Sequence, residues 1–314
     1  MSTKQPTARL FTAVHEGDED AVVRLLRSGT SPESVDGDGQ TALYLAAVSD
    51  QAGVVRLLLA TGAHPDRLSA GSDSALCGAA CGGHTAVVRA LLAAGARPDL
   101  EEAFGFRALT WAVQRGQASV VSELLTAGAD PDLPGPTGEP PLVAAARRGS
   151  PSCVRALLEH GAQGRARALA EARRQSALDI EGELRTGLER AHGAGHETVT
   201  RRFAEDGGIT VEVELRVGER AFASDDRQTG HIAIATLLEA SLGVAVPAEE
   251  LAGRALRCGD PTNADWVSAA GVLGRRTDEE TFRAATAWCG SPDPQRRAFG
   301  EAVLGHIAGR RAGM

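Results

Sequence analysis

Hydrophobic residues recur at a fixed interval over the first half of the chain. Four columns of residues repeat every 33 residues without an insertion. The columns are Leu10, Leu43, Leu76, Leu109 and Leu142; Ala13, Ala46, Ala79, Ala112 and Ala145; Val22, Val55, Val88, Val121 and Val154; and Gly29, Gly62, Gly95, Gly128 and Gly161. Because the columns keep one register, they predict a stack of five equivalent units rather than a single globular domain.

Each unit is predicted to contain two short helices followed by a turn. In the second unit, the apolar residues of 41–48 and 54–62 lie on one face of a helix. The terminal glycine supplies the left-handed conformation that ends a helix, and the prolines after it prevent the helix from continuing. These prolines are Pro32, Pro65, Pro98 and Pro131. Alanine in the first helix lets neighbouring first helices pack closely, which predicts curvature and a concave face.

These residues resemble the ankyrin repeat. Its pattern, D-x-x-G-x-T-P-L-H-x-A-A followed by V-x-x-L-L-x-x-G-A-D, is closely matched by DGDGQTALYLAAVSDQAGVVRLLLATGAHPD. The resemblance covers about residues 5–163, half of the chain. It implies a mainly α ankyrin-repeat solenoid with five helix-turn-helix repeats. The repeats span about 5–37, 38–70, 71–103, 104–136 and 137–163.

The second half of the chain is predicted to be a separate, mostly helical module. Residues 164–193 have apolar positions at helical spacing and are expected to form one long helix or two short ones that cap the array. Residues 196–218 alternate polar and apolar side chains around Asp-Gly-Gly at 206–208, which predicts a β-hairpin. Residues 229–310 contain helical segments separated by Asp-Pro breakers and resemble HEAT-like repeats. An ordinary helical bundle would have much the same pattern.

Composition and charge narrow the functional classes. The formal net charge is −8 and the sequence pI is about 5.6, which disfavours a general attraction to nucleic acid or anionic lipid. No apolar run approaches the ~18 residues that span a bilayer, and the N-terminal segment reaches charge before any signal-peptide core. The five cysteines show no framework spacing, so reduced thiols are expected. The sequence therefore predicts a cytoplasmic protein without membrane insertion.

Two clusters raise alternatives to a purely structural interpretation. Cys77, Cys81 and His84 have the spacing C-x3-C-x2-H, which could serve a zinc or redox site, but a fourth ligand is lacking nearby and all three fit repeat positions. Paired arginines such as Arg147 and Arg148 could contact phosphate, although such pairs are common on solvated helices. No Ser or Cys stands in a nucleophile motif. The sequence predicts no catalytic residue, metal or cofactor.

A binding surface for another protein or peptide is predicted on the concave face, at positions that the repeat scaffold leaves free to vary. The candidate partner-binding residues are Phe104, Phe106, Trp111, Gln114, Arg115, Arg147, Arg148, Tyr44, His15, Glu16, Asp38 and Gln40. The aromatic residues stand out because aromatics make up 4% of the chain. The alternative is that these aromatics pack on neighbouring turns and helices. The surface is also expected to grade from acidic in the early repeats to basic at Arg115, Arg147 and Arg148.

The sequence favours a non-catalytic scaffold or adaptor. One alternative is a regulatory or inhibitory subunit of an enzyme. A third hypothesis is an enzyme with its site in the C-terminal module, where Asp225, Asp226, His231 and Trp266 are the suggestive residues. The module itself could bind a partner, form a dimer or only cap the array.

Overall fold

The computed structural model describes residues 4–205 and 208–312, which form seventeen helices and three strands. Contacts within the chain divide it into two compact units. The first unit runs through Ala144 and includes Ala156–Gln163, and the second comprises Ala145–Arg155 and continues from Gly164. The predicted mainly α fold is confirmed. The domain limits inferred from the sequence stay a prediction.

Ten helices, in five consecutive pairs, occupy the repeat region. They are α1 (Lys4–Glu16), α2 (Glu19–Arg27), α3 (Ala42–Val48), α4 (Ala52–Ala60), α5 (Ala75–Gly82), α6 (Thr85–Ala93), α7 (Ala108–Arg115), α8 (Ala118–Thr126), α9 (Pro141–Arg148) and α10 (Pro151–Glu159). From α1 to α7, each odd-numbered helix contacts the next odd-numbered helix, and the even-numbered helices up to α8 do the same. We call the first row the inner helices and the second row the outer helices. Two rows with nearest-neighbour contacts form the one-dimensional stack that the columns predict.

The repeated columns form the core of these helices. Every side chain of the Leu, Ala and Val columns is at most 4% exposed. The column glycines have φ angles between +84° and +103°, and a Cβ added at any of them would meet no atom within 4 Å. These glycines therefore end helices through their left-handed backbone conformation and not through close packing.

A ladder of carboxylates joins successive repeats. Glu33, Asp66, Asp99 and Asp132 recur every 33 residues, and each accepts a hydrogen bond of 2.6–3.2 Å from a backbone N–H 31 residues further along the chain. The donors are the N–H groups of His64, Arg97, Asp130 and Gln163. The period of the carboxylates is visible in the sequence, but their donors lie in the next repeat and are identified only by the fold.

In the second unit, helices precede and follow a small sheet along the chain. The elements are α11 (Arg165–Ser176), α12 (Ile180–His192), β1 (Glu197–Glu205), β2 (Gly208–Val217), β3 (Arg220–Gln228), α13 (His231–Ser241), α14 (Ala248–Leu256), α15 (Ala264–Arg275), α16 (Glu279–Cys289) and α17 (Pro294–Ala312). The segment expected to cap the array is thus two helices, α11 and α12. The helices expected after residue 229 are present as α13–α17, whereas their HEAT-like arrangement stays a prediction.

The sheet is antiparallel with the order β1-β2-β3. The predicted hairpin is confirmed as β1 and β2, and the sheet contains a third strand, β3, that the sequence pattern did not predict. The sequence of β3, RAFASDDRQ, lacks a sustained apolar alternation because it is an edge strand with mostly exposed side chains. Two residues of the predicted turn, Asp206 and Gly207, lie outside the described residues.

Two hydrophobic clusters stabilise the second unit. One lies between α12 and the sheet and consists of Ile180, Leu184, Leu188, Val211, Val213 and Leu215. The other surrounds the fully buried Phe299, whose ring centroid lies 5.1 Å from that of Trp266 and 5.5 Å from that of Trp288. Across residues 4–205 and 208–312, no helix combines the length and apolar character needed to cross a membrane.

Candidate protein-binding surface

The turn of the fourth repeat presents an exposed, strained aromatic side chain. Phe104 is 90% exposed and has a φ angle of +65°, in the left-handed region. This conformation brings Cβ close to the following carbonyl oxygen and costs about 1 to 2 kcal/mol for a residue other than glycine. A ring that is almost entirely in solvent does not offset this cost by packing. The choice of Phe at this position therefore serves neither burial nor backbone geometry.

Phe106 and Trp111, close to Phe104, pack on each other. Their ring centroids are 4.3 Å apart with an interplanar angle of 13°, and both side chains are half-buried. Trp111 Nε1 donates a 3.2 Å hydrogen bond to Oε2 of Glu102, whose Oε1 accepts a 2.5 Å bond from the backbone N–H of Ser74. Because Ser74 caps α5, Glu102 links the third repeat to the indole of the fourth. The two rings thus pack on each other within one repeat and form a fixed platform, whereas packing on neighbouring turns and helices stays a prediction.

Tyr44 lies over the neighbouring inner helix. A Cβ added at Gly78 of α5 would lie 3.1 Å from the Tyr44 ring, so the missing side chain makes room for the ring. Burial, followed by the negative charges of Asp73 and Glu102, raises the pKa of Tyr44. Its hydroxyl is therefore protonated at neutral pH and can donate a hydrogen bond.

Glu102 accepts a hydrogen bond from Trp111, and its charge contributes to the raised pKa of Tyr44, so one carboxylate acts on residues of two other repeats. We call Tyr44, Asp73, Glu102, Phe106 and Trp111 the aromatic-acidic patch. The sequence indicated its three aromatic residues. It gave no sign that Glu102 joins them, because the hydrogen bonds of Glu102 depend on the positions of two adjacent turns. Asp73 stands at one of the turn positions that the repeat scaffold leaves free to vary.

Six other candidate residues lie on the surface of the first unit. Asp38 and Gln40 belong to the turn of the second repeat, where their backbone N–H groups donate to Oδ1 of Asp36. Gln114 and Arg115 are exposed at the end of α7, and His15 and Glu16 are exposed at the end of α1. Asp38 and Gln40 therefore border the inner helices at the turns, whereas the other four lie at helix ends.

Arg147 and Arg148 belong to the second unit and form ion pairs there. Arg147 Nε lies 3.3 Å from Oε1 of Glu171, and Arg148 pairs with the carboxylate of Asp226. The hydrogen bond from Arg174 lowers the pKa of Glu171 to about 2, with a further contribution from the charge of Arg147. Both arginines already neutralise carboxylates, so the basic end of the expected charge gradient is reduced to Arg115 within the first unit.

The cysteine and histidine cluster has structural contacts. Burial raises the pKa of Cys77, so its thiol stays protonated. His84 Nε2 lies 3.2 Å from the carbonyl oxygen of Val48 on the preceding inner helix. In the part of the chain that the structure describes, no three or more His, Cys, Asp or Glu side chains are grouped as a metal site would require.

The four residues of the enzyme hypothesis are engaged in structural contacts. Asp226 pairs with Arg148, and Trp266 is 3% exposed within the cluster around Phe299. Burial lowers the pKa of His231, whose Nε2 lies 3.2 Å from the carbonyl oxygen of Arg147. Asp225 accepts a hydrogen bond from the next backbone N–H. A cavity of about 630 Å³ in the second unit is lined by residues within 240–248 and 272–281 and by none of these four.

Comparison with known proteins agrees with the repeat architecture. A family model described as ankyrin repeats matches the chain in three copies, over residues 10–102, 76–169 and 109–208. Together these matches cover more than half of the 314 residues. No curated protein matches the chain.

Proposed function

Because the chain belongs to the ankyrin-repeat family, we propose that it is a scaffold or adaptor that binds a partner protein through its aromatic-acidic patch and the adjacent Phe104. Ankyrin repeats are generally protein–protein interaction modules, and proteins built from them are typically non-catalytic. The observation that carries the proposal is the 90% exposed ring of Phe104, held at a φ angle of +65°. An exposed aromatic residue that costs the fold stability is explained if a partner buries it.

The neighbouring residues support a preformed site. Phe106 and Trp111 are fixed by their stacking, and Glu102 holds the Trp111 indole through Nε1. Side chains that are already ordered lose little conformational entropy on binding. We therefore expect Trp111 and Phe104 to contribute more to affinity than the exposed residues at the helix ends, such as Gln114 and Arg115.

Photo-crosslinking from two positions tests this proposal. In one variant p-benzoylphenylalanine replaces Phe104, and in the matched control it replaces Ser122, which is exposed on the outer helix α8. We expect a crosslinked protein from position 104 that is absent from position 122. The purified crosslinked protein should also bind the unmodified chain directly and lose affinity for the Trp111→Ala variant. Equal crosslinking from both positions, or unchanged affinity for Trp111→Ala, would contradict the proposal.

A regulatory or inhibitory role would use the same surface and differ in the consequence of binding. If the captured partner is an enzyme, its activity should be measured with the wild-type chain and with Trp111→Ala. A change in activity that only the wild-type chain produces would identify a regulator. Unchanged activity in a stable complex would favour an adaptor.

A further inference from the structure

Negative charge is concentrated on the turns that border the aromatic-acidic patch. The turns at residues 36–40, 69–73 and 102–106, together with α3 and α5, contain four carboxylates and no Lys or Arg. The carboxylates are Asp36, Asp38, Asp73 and Glu102. Within residues 4–205 and 208–312, none of the four forms an ion pair.

Two of these carboxylates accept hydrogen bonds from neutral donors. Glu102 accepts from the Ser74 backbone and from the Trp111 indole, and Asp36 accepts from two backbone N–H groups of its own turn. Such bonds fix the position of a carboxylate without neutralising its charge. The carboxylates also act on one ring of the patch: burial, followed by the charges of Asp73 and Glu102, raises the pKa of Tyr44.

Between the aromatic residues, the inner surface is built from small side chains. Among the residues of α5, Gly78 and Cys81 are partly exposed and Gly82 is exposed. Helix α5 contacts α3, which carries Tyr44, and α7, which carries Trp111. Helix α5, whose outward-facing side chains are small, thus lies between the helices that carry the two large rings, and the Tyr44 ring lies over it at Gly78.

The geometry points to a partner segment that places a lysine or arginine side chain over α5, between Tyr44 and Trp111 and against Asp73 and Glu102. This inference rests on the proposed function. Aromatic faces attract cations through the ring quadrupole, and the carboxylates add a directed hydrogen-bond acceptor. The stem of a long basic side chain also covers apolar surface while its charged end stays near the carboxylates. An acidic or phosphorylated segment would instead meet four like charges.

Selection from a displayed library of short random peptides tests the inference on the full-length chain. The selected peptides are sequenced, and the tightest is synthesised and titrated against wild type, Trp111→Ala and Asp73→Asn. Asp130→Asn is the matched control, because it makes the same change in an exposed loop carboxylate after α8. We expect Lys and Arg to be enriched over the unselected library. Asp73→Asn should weaken binding by about fivefold and Asp130→Asn by less than about twofold.

Salt supplies a second readout. Between about 0.01 M and about 0.15 M salt the Debye length falls from about 30 Å to about 8 Å, so a cation held by partly exposed carboxylates should bind more weakly. Binding that depends on Trp111 without enrichment of basic residues, or without loss in Asp73→Asn, overturns the cation inference and leaves the proposed function standing. Failure of the library to yield a binder, or equal binding to Trp111→Ala, overturns both.

Discussion

Replacing Phe104 by asparagine is expected to stabilise the fold and weaken partner binding. The left-handed conformation at φ +65° costs a residue with a bulky side chain about 1 to 2 kcal/mol, whereas asparagine adopts it more readily. The ring is 90% exposed, so its removal forfeits about a tenth of the roughly 1.5 to 3 kcal/mol that full burial of a large side chain provides. The net expectation is an increase of about 0.5 to 1 kcal/mol in the free energy of unfolding.

Urea denaturation followed by circular dichroism measures this change, and Phe106→Asn is the matched control. Phe106 has an ordinary φ angle of −78° and stacks on Trp111. Its substitution relieves no strain and removes a stacked pair together with half-buried surface, so we expect a loss of about 1.5 to 3 kcal/mol. The same substitution at two positions of one turn should thus have opposite signs.

A destabilisation of more than about 1 kcal/mol by Phe104→Asn would refute this reasoning. It would mean that the Phe104 ring packs against the array in solution, so the ring would not be a free binding residue. Unchanged affinity for a verified partner would separately remove Phe104 from the binding surface while leaving the strain argument intact.

Two further predictions concern backbone geometry at Gly149 and charge at Glu171. Gly149→Ala should lower the free energy of unfolding by about 3 to 5 kcal/mol, because the new Cβ would lie 2.1 Å from the Gln228 carbonyl oxygen in a residue with a φ angle of +83°. Gly161 has a similar φ angle, +84°, but lies in open space, so Gly161→Ala should lower it by about 1 to 2 kcal/mol. Thermal unfolding compares the two variants, and equal losses of stability would contradict the close approach of Gly149 to Gln228. The pKa of Glu171 is lowered from 4.5 to about 2, so its stabilisation is present above pH 4.5 and is lost as the pH falls towards 2. Glu171→Gln should therefore lower the free energy of unfolding by about 1 to 2 kcal/mol at neutral pH, and by progressively less as the pH falls. This figure is discounted for solvent screening because Arg174 is more than half exposed. Urea titrations of the wild type and Glu171→Gln measure this difference in the free energy of unfolding, and a difference that does not change with pH would refute the assignment.

The repeat architecture was predictable because it depends on local and periodic signals. A column such as Leu10 to Leu142 must stay apolar in every repeat, since each helix pair buries the same face against its neighbour. The helix-ending glycines are equally local, as their φ angles are set within one turn of chain. The strand β3 was missed for the opposite reason. Its backbone pairs with β2, but its side chains are mostly exposed and so leave no apolar pattern.

The binding surface was only partly accessible from the sequence. Scarcity of aromatic residues singled out Phe104, Phe106 and Trp111, but could not separate the strained exposed ring from the stacked pair. Arg147 occupies the same repeat position as residues of the inner helices, yet its ion pair with Glu171 forms in the second unit. Side-chain partners that are distant in the chain carry no local signature.

Taken alone, the order of residues determined which helices exist, how often they recur and where each one ends, because those properties depend on side chains a few positions apart. The three-dimensional arrangement decided which charges are neutralised and which are left without a counter-ion. Glu102 and Glu171 show the difference: both are acidic residues, but Glu102 accepts hydrogen bonds from neutral N–H groups whereas Glu171 pairs with two arginines. Electrostatic environment depends on distance in space, and the fold brings together residues that the chain keeps far apart.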